Sequence, residues 1–403
     1  MVSDGWRPRI AVIGAGPAGL ALARLLQMRG HHVTVFESMI SADARLSGGS
    51  LDIDSSTGGR ALRAAGLGAA LARVARPEAS GYTIANASGD VLLRIPAMPV
   101  LCRRPEVDRQ DLRQLLLDAV APQTVRWGRC LTALERDPAG GKRLRFEQGD
   151  DIEADLLIGA DGVHSRVRPY ITSVRPRYSG VSLLHGEVIE PERHCPEVLR
   201  WMAGGNLFAL GHGRGVLAQR RGDGVLVFYL TQKVPEDWAA HLSTQSTAQH
   251  TSLAGEALAG WHPAFTSLFT ATRTLVPHPL YVTPADQAWE SQPDMTLIGD
   301  AAHSLTPFGG QGANMGLCDA LGLADCLSEC AGQDTALAIR RYEREMLTRT
   351  RAVQINTLGL LEIFHGPDAA REVVRVFLGP FAPLSGAMTG VATMVSRVIG
   401  RLG

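Results

Sequence analysis

Ile10–Ile13 is an unbroken apolar run; residues 18–28 then place apolar side chains at helical spacing, Gly30 interrupts them, and Val33–Phe36 is a second apolar run. Two short strands that are apolar on both faces, joined through a helix, predict a right-handed parallel strand–helix–strand unit. Helical periodicity returns over residues 56–66 and 108–120, and residues 151–158 read as a strand entering GADGVHSRVR. The texture then changes over residues 177–232. β-Branched or aromatic runs such as GVLAQRR and GVLVFYL are separated by GRG and RGDG, which predicts an antiparallel sheet with tight turns. Residues 273–282 are expected to add its last strand. The buried-strand pattern resumes at Met295, and long helices are expected over residues 312–330 and 335–364. A first unit is thus interrupted by a sheet-rich insert, with no internal repeat.

The junction between the first strand and helix holds Gly14, Gly16 and Gly19, a G-x-G-x-x-G turn. In such a turn the first glycine permits the bend, the second lets a pyrophosphate approach the backbone, and the third lets helix and strand pack closely. The free N–H groups of the helix N-terminus attract the phosphates. Glu37 ends the second strand at the distance expected for an acid that accepts hydrogen bonds from ribose hydroxyls. Its charge would repel a 2′-phosphate, so the bound ADP moiety should belong to FAD or NAD.

A second glycine-rich stretch, LIGDAAHSLTPFGGQGANMG, decides between the two. Asp300 stands where a buried strand ends and could accept hydrogen bonds from ribityl hydroxyls, or cap the helix that follows. Pro307 stiffens the loop, while Gly309, Gly310 and Gly312 let main chain lie against a flat ring without Cβ interference. The helix starting near Gly312 points its positive end at that ring. The expectation is a flavin, hence FAD.

Composition removes other classes. Lysine plus arginine equals aspartate plus glutamate, 40 against 40, which gives no basic excess for nucleic acid. The six cysteines form no C-x-x-C pair and no cluster with zinc-ligand spacing. They read as reduced thiols, and the N-terminus has no apolar signal core, so a cytoplasmic protein without a metal is expected. Residues 376–396 carry no charge and are long enough to cross a bilayer, but Gly379, Pro380, Pro383 and Gly386 interrupt them. A docked pair of short helices is the expected form.

The segments GAGPAG, GADGVHSRVR and LIGDAAHSLTPFGGQGANMG together resemble the three signatures of the single-component aromatic-hydroxylase class (group A) of FAD monooxygenases. ARLSGGSLDI, EVDRQDLR, CPEVLRWMAGG and KVPEDW are similar to the tetracycline-inactivating branch, and the likeness covers roughly residues 8–365. It implies an α/β architecture: a Rossmann-like FAD-binding domain of the glutathione-reductase and p-hydroxybenzoate-hydroxylase type, an inserted antiparallel-sheet substrate domain, and a C-terminal helical region. The expected boundaries are 1–172 with 273–333 for FAD, 173–272 for substrate, and 334–403 for helices that bridge or cover them. The resemblance further implies that Ala18, Gln311, Ala313 and Asn314 join the glycines in holding FAD. It places Arg45 and Asp52 beside the flavin and the nicotinamide approach, Arg113 at the ribityl or pyrophosphate region, and Asp161 under the dinucleotide. Ser38 stands where the tetracycline branch is expected to stack an arginine on adenine, a departure that would weaken FAD retention.

The implied chemistry is reduction of the flavin by NADPH, addition of dioxygen to it, and passage of one oxygen atom to an electron-rich carbon of an aromatic or polycyclic substrate. Pro307, Phe308 and Gly309 would face that substrate from the flavin loop. On the sheet, His185, Asn206 and Val227 occupy the positions where the tetracycline branch is expected to carry glutamine, arginine and histidine, so the pocket is altered. His185 reads either as a substrate contact or as a histidine satisfied within its strand; His212 and Tyr229 are further candidates, and His303 reads as structural. Two rivals stand beside the monooxygenase: a flavin halogenase, whose W-x-W-x-I-P segment is absent, and a flavin-bearing protein that sequesters its ligand without turnover. A monomer and a homodimer are both compatible with the sequence.

Overall fold

The apolar runs recognised in the sequence end on a common edge. Ile10–Ile13 is central in a five-stranded parallel sheet, flanked by Leu156–Gly159 and then Met295–Leu297 on one side, and by Val33–Phe36 and then Val125–Arg126 on the other. Because the strands run parallel, Gly14, Glu37, Asp161 and Asp300 all leave the sheet at its carboxyl edge, where α/β proteins bind ligands. The structure is a computed structural model and describes residues 8–42, 48–136, 141–243, 246–272, 274–330 and 334–379. Helices Pro17–Met28, Gly312–Glu329 and Thr335–Phe364 pack on this sheet, burying Leu20, Leu22, Leu25, Leu317, Leu323, Ile339 and Tyr342 in one core.

The expected strand over 151–158 is in fact two. Ile152–Ala154 pairs antiparallel with Lys142–Phe146, which pairs with Leu131–Arg136; Leu156–Gly159 enters the parallel sheet. Asp155 makes the break, its Oδ2 accepting from the backbone N–H of Arg9 at 2.7 Å. The expected helices at 56–66 and 108–120 are Gly58–Ala64 and Arg109–Ala119.

The antiparallel sheet forms as expected, but it is larger than the 173–272 insert. Its seven strands run in the order Leu275–Val282, Arg177–Val188, Leu226–Lys233, Arg214–Arg220, Asn206–Gly211, Tyr82–Asn86 and Val91–Ile95. The first of these and the last two come from the segments expected to hold FAD, 273–333 and 1–172. Tyr82–Asn86 joins parallel to Asn206–Gly211, with Tyr82 opposite Asn206, so residues 82–95 close the substrate sheet while remaining inside the first segment of the chain. One face of this sheet carries a core of Leu184, Phe228, Phe265 and Phe269. The other, with Ile84, Phe208 and Leu217, packs against Phe308, Leu360, Phe364 and Phe377.

Helix Ala369–Leu378 crosses that second face beside the long helix Thr335–Phe364. Residues 380–403, which hold most of the 376–396 stretch, lie outside the described residues. Among the described residues no helix is long and apolar enough to cross a membrane, no group of histidine, cysteine or acidic side chains could hold a metal, and all six cysteines are free.

Candidate active site

Two adjoining hollows line the carboxyl edge of the parallel sheet. The smaller, about 200 Å³, is walled by Ala15, Gly16, Glu37, Met39, Arg109 and Arg113. The larger, about 680 Å³, shares Gly16, Pro17, Leu51 and Arg109 with it and runs past Asp300 and residues 304–313 to the second face of the seven-stranded sheet.

The glycine turn is built for close packing. Gly14 has φ +107°, and a Cβ there would stand 2.7 Å from the Ala160 carbonyl carbon, so the turn lies directly against the GADG segment. A Cβ on Gly19 would press on Gly14 and stand 3.2 Å from Ala160 Cβ. Gly16 and Gly162 differ: nothing lies within 4 Å of a Cβ built at either, so backbone is open to the cleft where a pyrophosphate would pass. Neither the helix beginning after Gly16 nor the one beginning after Gln311 has a side-chain cap, leaving two sets of helix N–H donors for a ligand. The Glu37 carboxylate braces the turn, accepting from Ala15 N at 2.7 Å and Met39 N at 2.9 Å, and still lines the smaller hollow. Arg113 lines it too and stacks 5.3 Å from the Trp127 ring centre.

Asp300 lies deep in the protein yet its surface is open to the cleft. Burial pushes its carboxyl upward, opposed by His303 and Arg109. Asp161 sits behind Ala160: its Oδ2 accepts from Arg166 N at 2.7 Å, while Oδ1 is buried without a hydrogen-bond partner among the described residues. His303 is structural, as expected. Its Nε2 meets Asp319 Oδ2 at 2.5 Å, and the same carboxylate accepts from Gly299 N at 2.9 Å and from Arg349 at 2.6 Å.

Pro307, Phe308, Gly309, Gly310, Gln311, Gly312 and Ala313 all line the larger hollow, as do Ala18 and Asp52. Asn314 does not; it is a buried brace, donating to the carbonyls of Asp52 at 2.8 Å and Gly310 at 3.1 Å and accepting from Asp54 N at 2.9 Å. Asp52 pairs with Arg104 at 2.5 Å, and Arg104 donates to the Gly310 carbonyl at 3.2 Å. Burial nevertheless raises the Asp52 carboxyl to about 6. Arg45 lies outside the described residues.

The sheet side departs from expectation. His185, Asn206 and Val227 are all buried and none lines the hollow. His185 stacks behind Tyr229 at 5.1 Å, and burial drops its imidazole to about 4. Asn206 donates to Glu106 Oε1 at 2.9 Å, and His212 occupies the turn between two strands at φ +52°. The lining comes instead from Tyr82, Leu183, Phe208, Leu217, Gln219, Tyr229 and His278, together with Glu106, Val373, Val376 and Phe377. Of these only Tyr229 was singled out in the sequence. Its hydroxyl accepts from Gly49 N at 2.8 Å. Alternation along the strands could have placed Leu217, Gln219 and Tyr229 on one face, but the partner strand Tyr82–Asn86 gives no sequence signal of where it pairs.

The open backbone at Gly16 and Gly162, the uncapped helix ends and the open Asp300 fit a dinucleotide whose flat end lies on the 307–313 loop, whereas Asp161 lines neither hollow. Fold and site therefore define a flavin-binding protein of the Rossmann-like class. The family model of the FAD binding domain matches residues 7–195 and 286–357. The chain belongs to this family and is an FAD-dependent monooxygenase. It is similar, at 33% identity over 380 residues covering 92% of this chain and 91% of the relative, to 3-amino-4-hydroxybenzoate 2-monooxygenase PtmB3 of Streptomyces platensis. It is 30% identical over 363 residues, 86% of this chain and 89% of the relative, to 6-hydroxynicotinate 3-monooxygenase of Pseudomonas fluorescens. The crystal structure of tetracycline destructase Tet(51) superposes with TM-score 0.72 over 97% of this chain and 98% of that one, at 18% identity. That last likeness is one of fold, so the special kinship with tetracycline-inactivating enzymes read from the sequence gives way to membership of the wider aromatic-monooxygenase family.

Proposed function

We propose that the chain hydroxylates a small electron-rich aromatic ring, one bearing hydroxyl or amino substituents, with NADPH as the external reductant. The observation that carries this reading is the continuity of one cleft from the glycine turn, past Asp300, to an aromatic-rich sheet face. When bound and reduced, FAD supplies the activation of dioxygen for transfer of one oxygen atom. The protein's own part is to bind, orient and dry. Gly16, Glu37 and Arg113 would hold the ADP end, Asp300 the ribityl hydroxyls, and the 307–313 loop the ring. Phe208, Leu217, Leu183, Phe308 and Phe364 form an apolar wall that excludes water from the reacting ring. His278, whose imidazole is pushed below its ordinary range by burial, can accept a hydrogen bond from a phenolic O–H and draw electron density toward the ring carbon under attack. The names of the two curated relatives, which act on substituted monocyclic rings, support a monocyclic substrate over a tetracycline-like one.

The test is NADPH consumption by the FAD-loaded chain across phenols, aminohydroxybenzoates, hydroxypyridines, polyketides and tetracyclines, with mass spectrometry of the products. Faster NADPH loss together with a product one oxygen heavier is expected for a monocyclic ring. Oxygenation of tetracyclines alone would reverse the substrate assignment. A protein that binds ligands but adds oxygen to none would be the sequestering rival.

A further inference from the structure

The cleft has a polar corner that the cofactor does not account for. Leu51–Asp52 and Glu106–Val107 form a two-stranded ribbon in which Asp52 and Glu106 stand directly opposite each other. Two carboxylates in that relation repel, and the structure treats them unequally. Asp52 is paired with Arg104. Glu106 is 2% exposed, and its Oε1 accepts from Asn206. Its Oε2 is buried with no hydrogen-bond partner among the described residues, although Glu106 lines the cleft. Asn206 is itself fixed, its backbone N–H donating to the Gly81 carbonyl at 2.7 Å, so the carboxyl cannot simply rotate to satisfy the second oxygen. Beside it Tyr82 meets Phe208 and Phe377, with ring centres 5.5 Å apart in each case. Aromatic faces and one vacant buried acceptor therefore converge at a single corner.

A buried oxygen without a donor is destabilising by a desolvation cost of ~1–3 kcal/mol, which a ligand donor placed there would offset. We infer that the Tyr82–Glu106–Phe208–Phe377 corner selects an aromatic ring carrying an N–H or O–H donor, with Glu106 Oε2 as the acceptor that sets this specificity. The inference rests on the aromatic-substrate reading and deepens it. It also orients the substrate. A ring carboxylate is kept away from a corner that already holds Glu106 and Asp52, so the amino or hydroxyl substituent enters and any acid group faces outward. The charged and titratable groups around the corner are Asp52, Arg104, Arg76, Tyr82 and Cys102. Of the arginines, Arg104 is engaged by Asp52, and Arg76 by Asp108.

The experiment uses the FAD-loaded full chain and three probes on one ring that differ by stepwise O-methylation: catechol, with two O–H donors, guaiacol with one, and veratrole with none. Binding is read from the perturbation of flavin absorbance, independently of turnover. Catechol is expected to bind about tenfold or more tighter than veratrole, the equivalent of one good hydrogen bond to a charged or polarised acceptor. In Glu106→Gln the amide keeps its oxygen on Asn206 and turns its NH2 toward the vacancy. The preference should then reverse toward veratrole, whose ether oxygens accept. A purely structural role for Glu106 would weaken all three probes together without reversal. Equal affinities in the unaltered protein, or absence of any catechol binding, overturn the inference even if the variant fails to take up FAD. In His278→Phe one acceptor of a phenolic O–H is gone but Glu106 Oε2 remains, so catechol should still bind tighter than veratrole, by a smaller margin; equal affinities there would assign the acceptor to His278 and overturn the inference. Oxygenation without donor selectivity would sink this inference alone, and donor selectivity without oxygenation would sink the hydroxylase reading alone.

Discussion

Gly310→Ala tests the construction of the flavin loop. Gly310 has φ +61°, and a Cβ there would stand 2.9 Å from Asp52 Oδ2 and closer still to Oδ1. A left-handed backbone costs a non-glycine residue ~1–2 kcal/mol. The carboxylate cannot withdraw freely, because Arg104 holds it and also binds the Gly310 carbonyl. Disturbing a largely buried ion pair of this kind adds up to about 3 kcal/mol, giving about 1–5 kcal/mol in all. The assay is a urea unfolding midpoint on the FAD-free chain, with FAD affinity measured by fluorescence quenching. The unfolding free energy taken from that curve should fall by that amount, lowering the midpoint, and FAD affinity should drop with it. Combining Gly310→Ala with Asp52→Ala removes the obstructing carboxylate, so the double variant should be less destabilised than the sum of the singles by at least about 1 kcal/mol. Additivity within about 0.5 kcal/mol, the behaviour of independent sites, would refute the contact, and an unchanged midpoint for Gly310→Ala would refute the strain as well.

Asp300→Ala removes the carboxylate open to the cleft and should weaken FAD binding about 10- to 100-fold, the worth of hydrogen bonds to a charged acceptor, while leaving the urea midpoint of the FAD-free chain within about 0.5 kcal/mol; unchanged FAD affinity would contradict the role. Glu106 gives a pH signature: burial, then the charge of Asp52, raises its carboxyl from 4.5 to about 7. A folded-state value above the unfolded one means that its contribution is intact below pH 4.5 and is lost as pH rises toward 7. Glu106→Gln should therefore gain stability over the unaltered chain by up to about 3 kcal/mol at alkaline pH relative to acid, and a pH-independent difference between their unfolding midpoints would contradict this. Asp319→Asn strips His303, Gly299 and Arg349 of a shared buried partner and should cost about 3–5 kcal/mol of stability, measured by the same midpoint.

The strand ends that carry the proposed cofactor half of the site were legible because their placement is local. Gly14, Gly16, Gly19, Glu37 and Asp300 follow strands in sequence, and a strand's end fixes where the next residue points. The helices at Gly312–Glu329 and Thr335–Phe364 were readable for the same reason. The substrate half depends on pairing between distant strands. His185, Asn206 and Val227 lie on the correct sheet, but register and neighbouring bulk place Tyr229 in front of His185 and turn Asn206 toward Glu106. The lining residues Tyr82 and Glu106 come from segments far earlier in the chain, and nothing in their local spacing marks them as partners of the sheet. Arg104 and Arg109 carry no sequence signal that sets them apart, because the four arginines at 103, 104, 109 and 113 look alike until the fold separates them: Arg104 onto Asp52, Arg109 into the shared wall, Arg113 at the Glu37 end.

The most direct test is a crystal structure of the FAD-loaded chain. It should show the adenine end beside Glu37 and Arg113, ribityl hydroxyls within hydrogen-bond reach of Asp300, and the isoalloxazine against residues 307–313 with one face turned to the sheet that carries Tyr82 and Tyr229. A flavin seated elsewhere, or a ring sealed off from that sheet, would contradict the account.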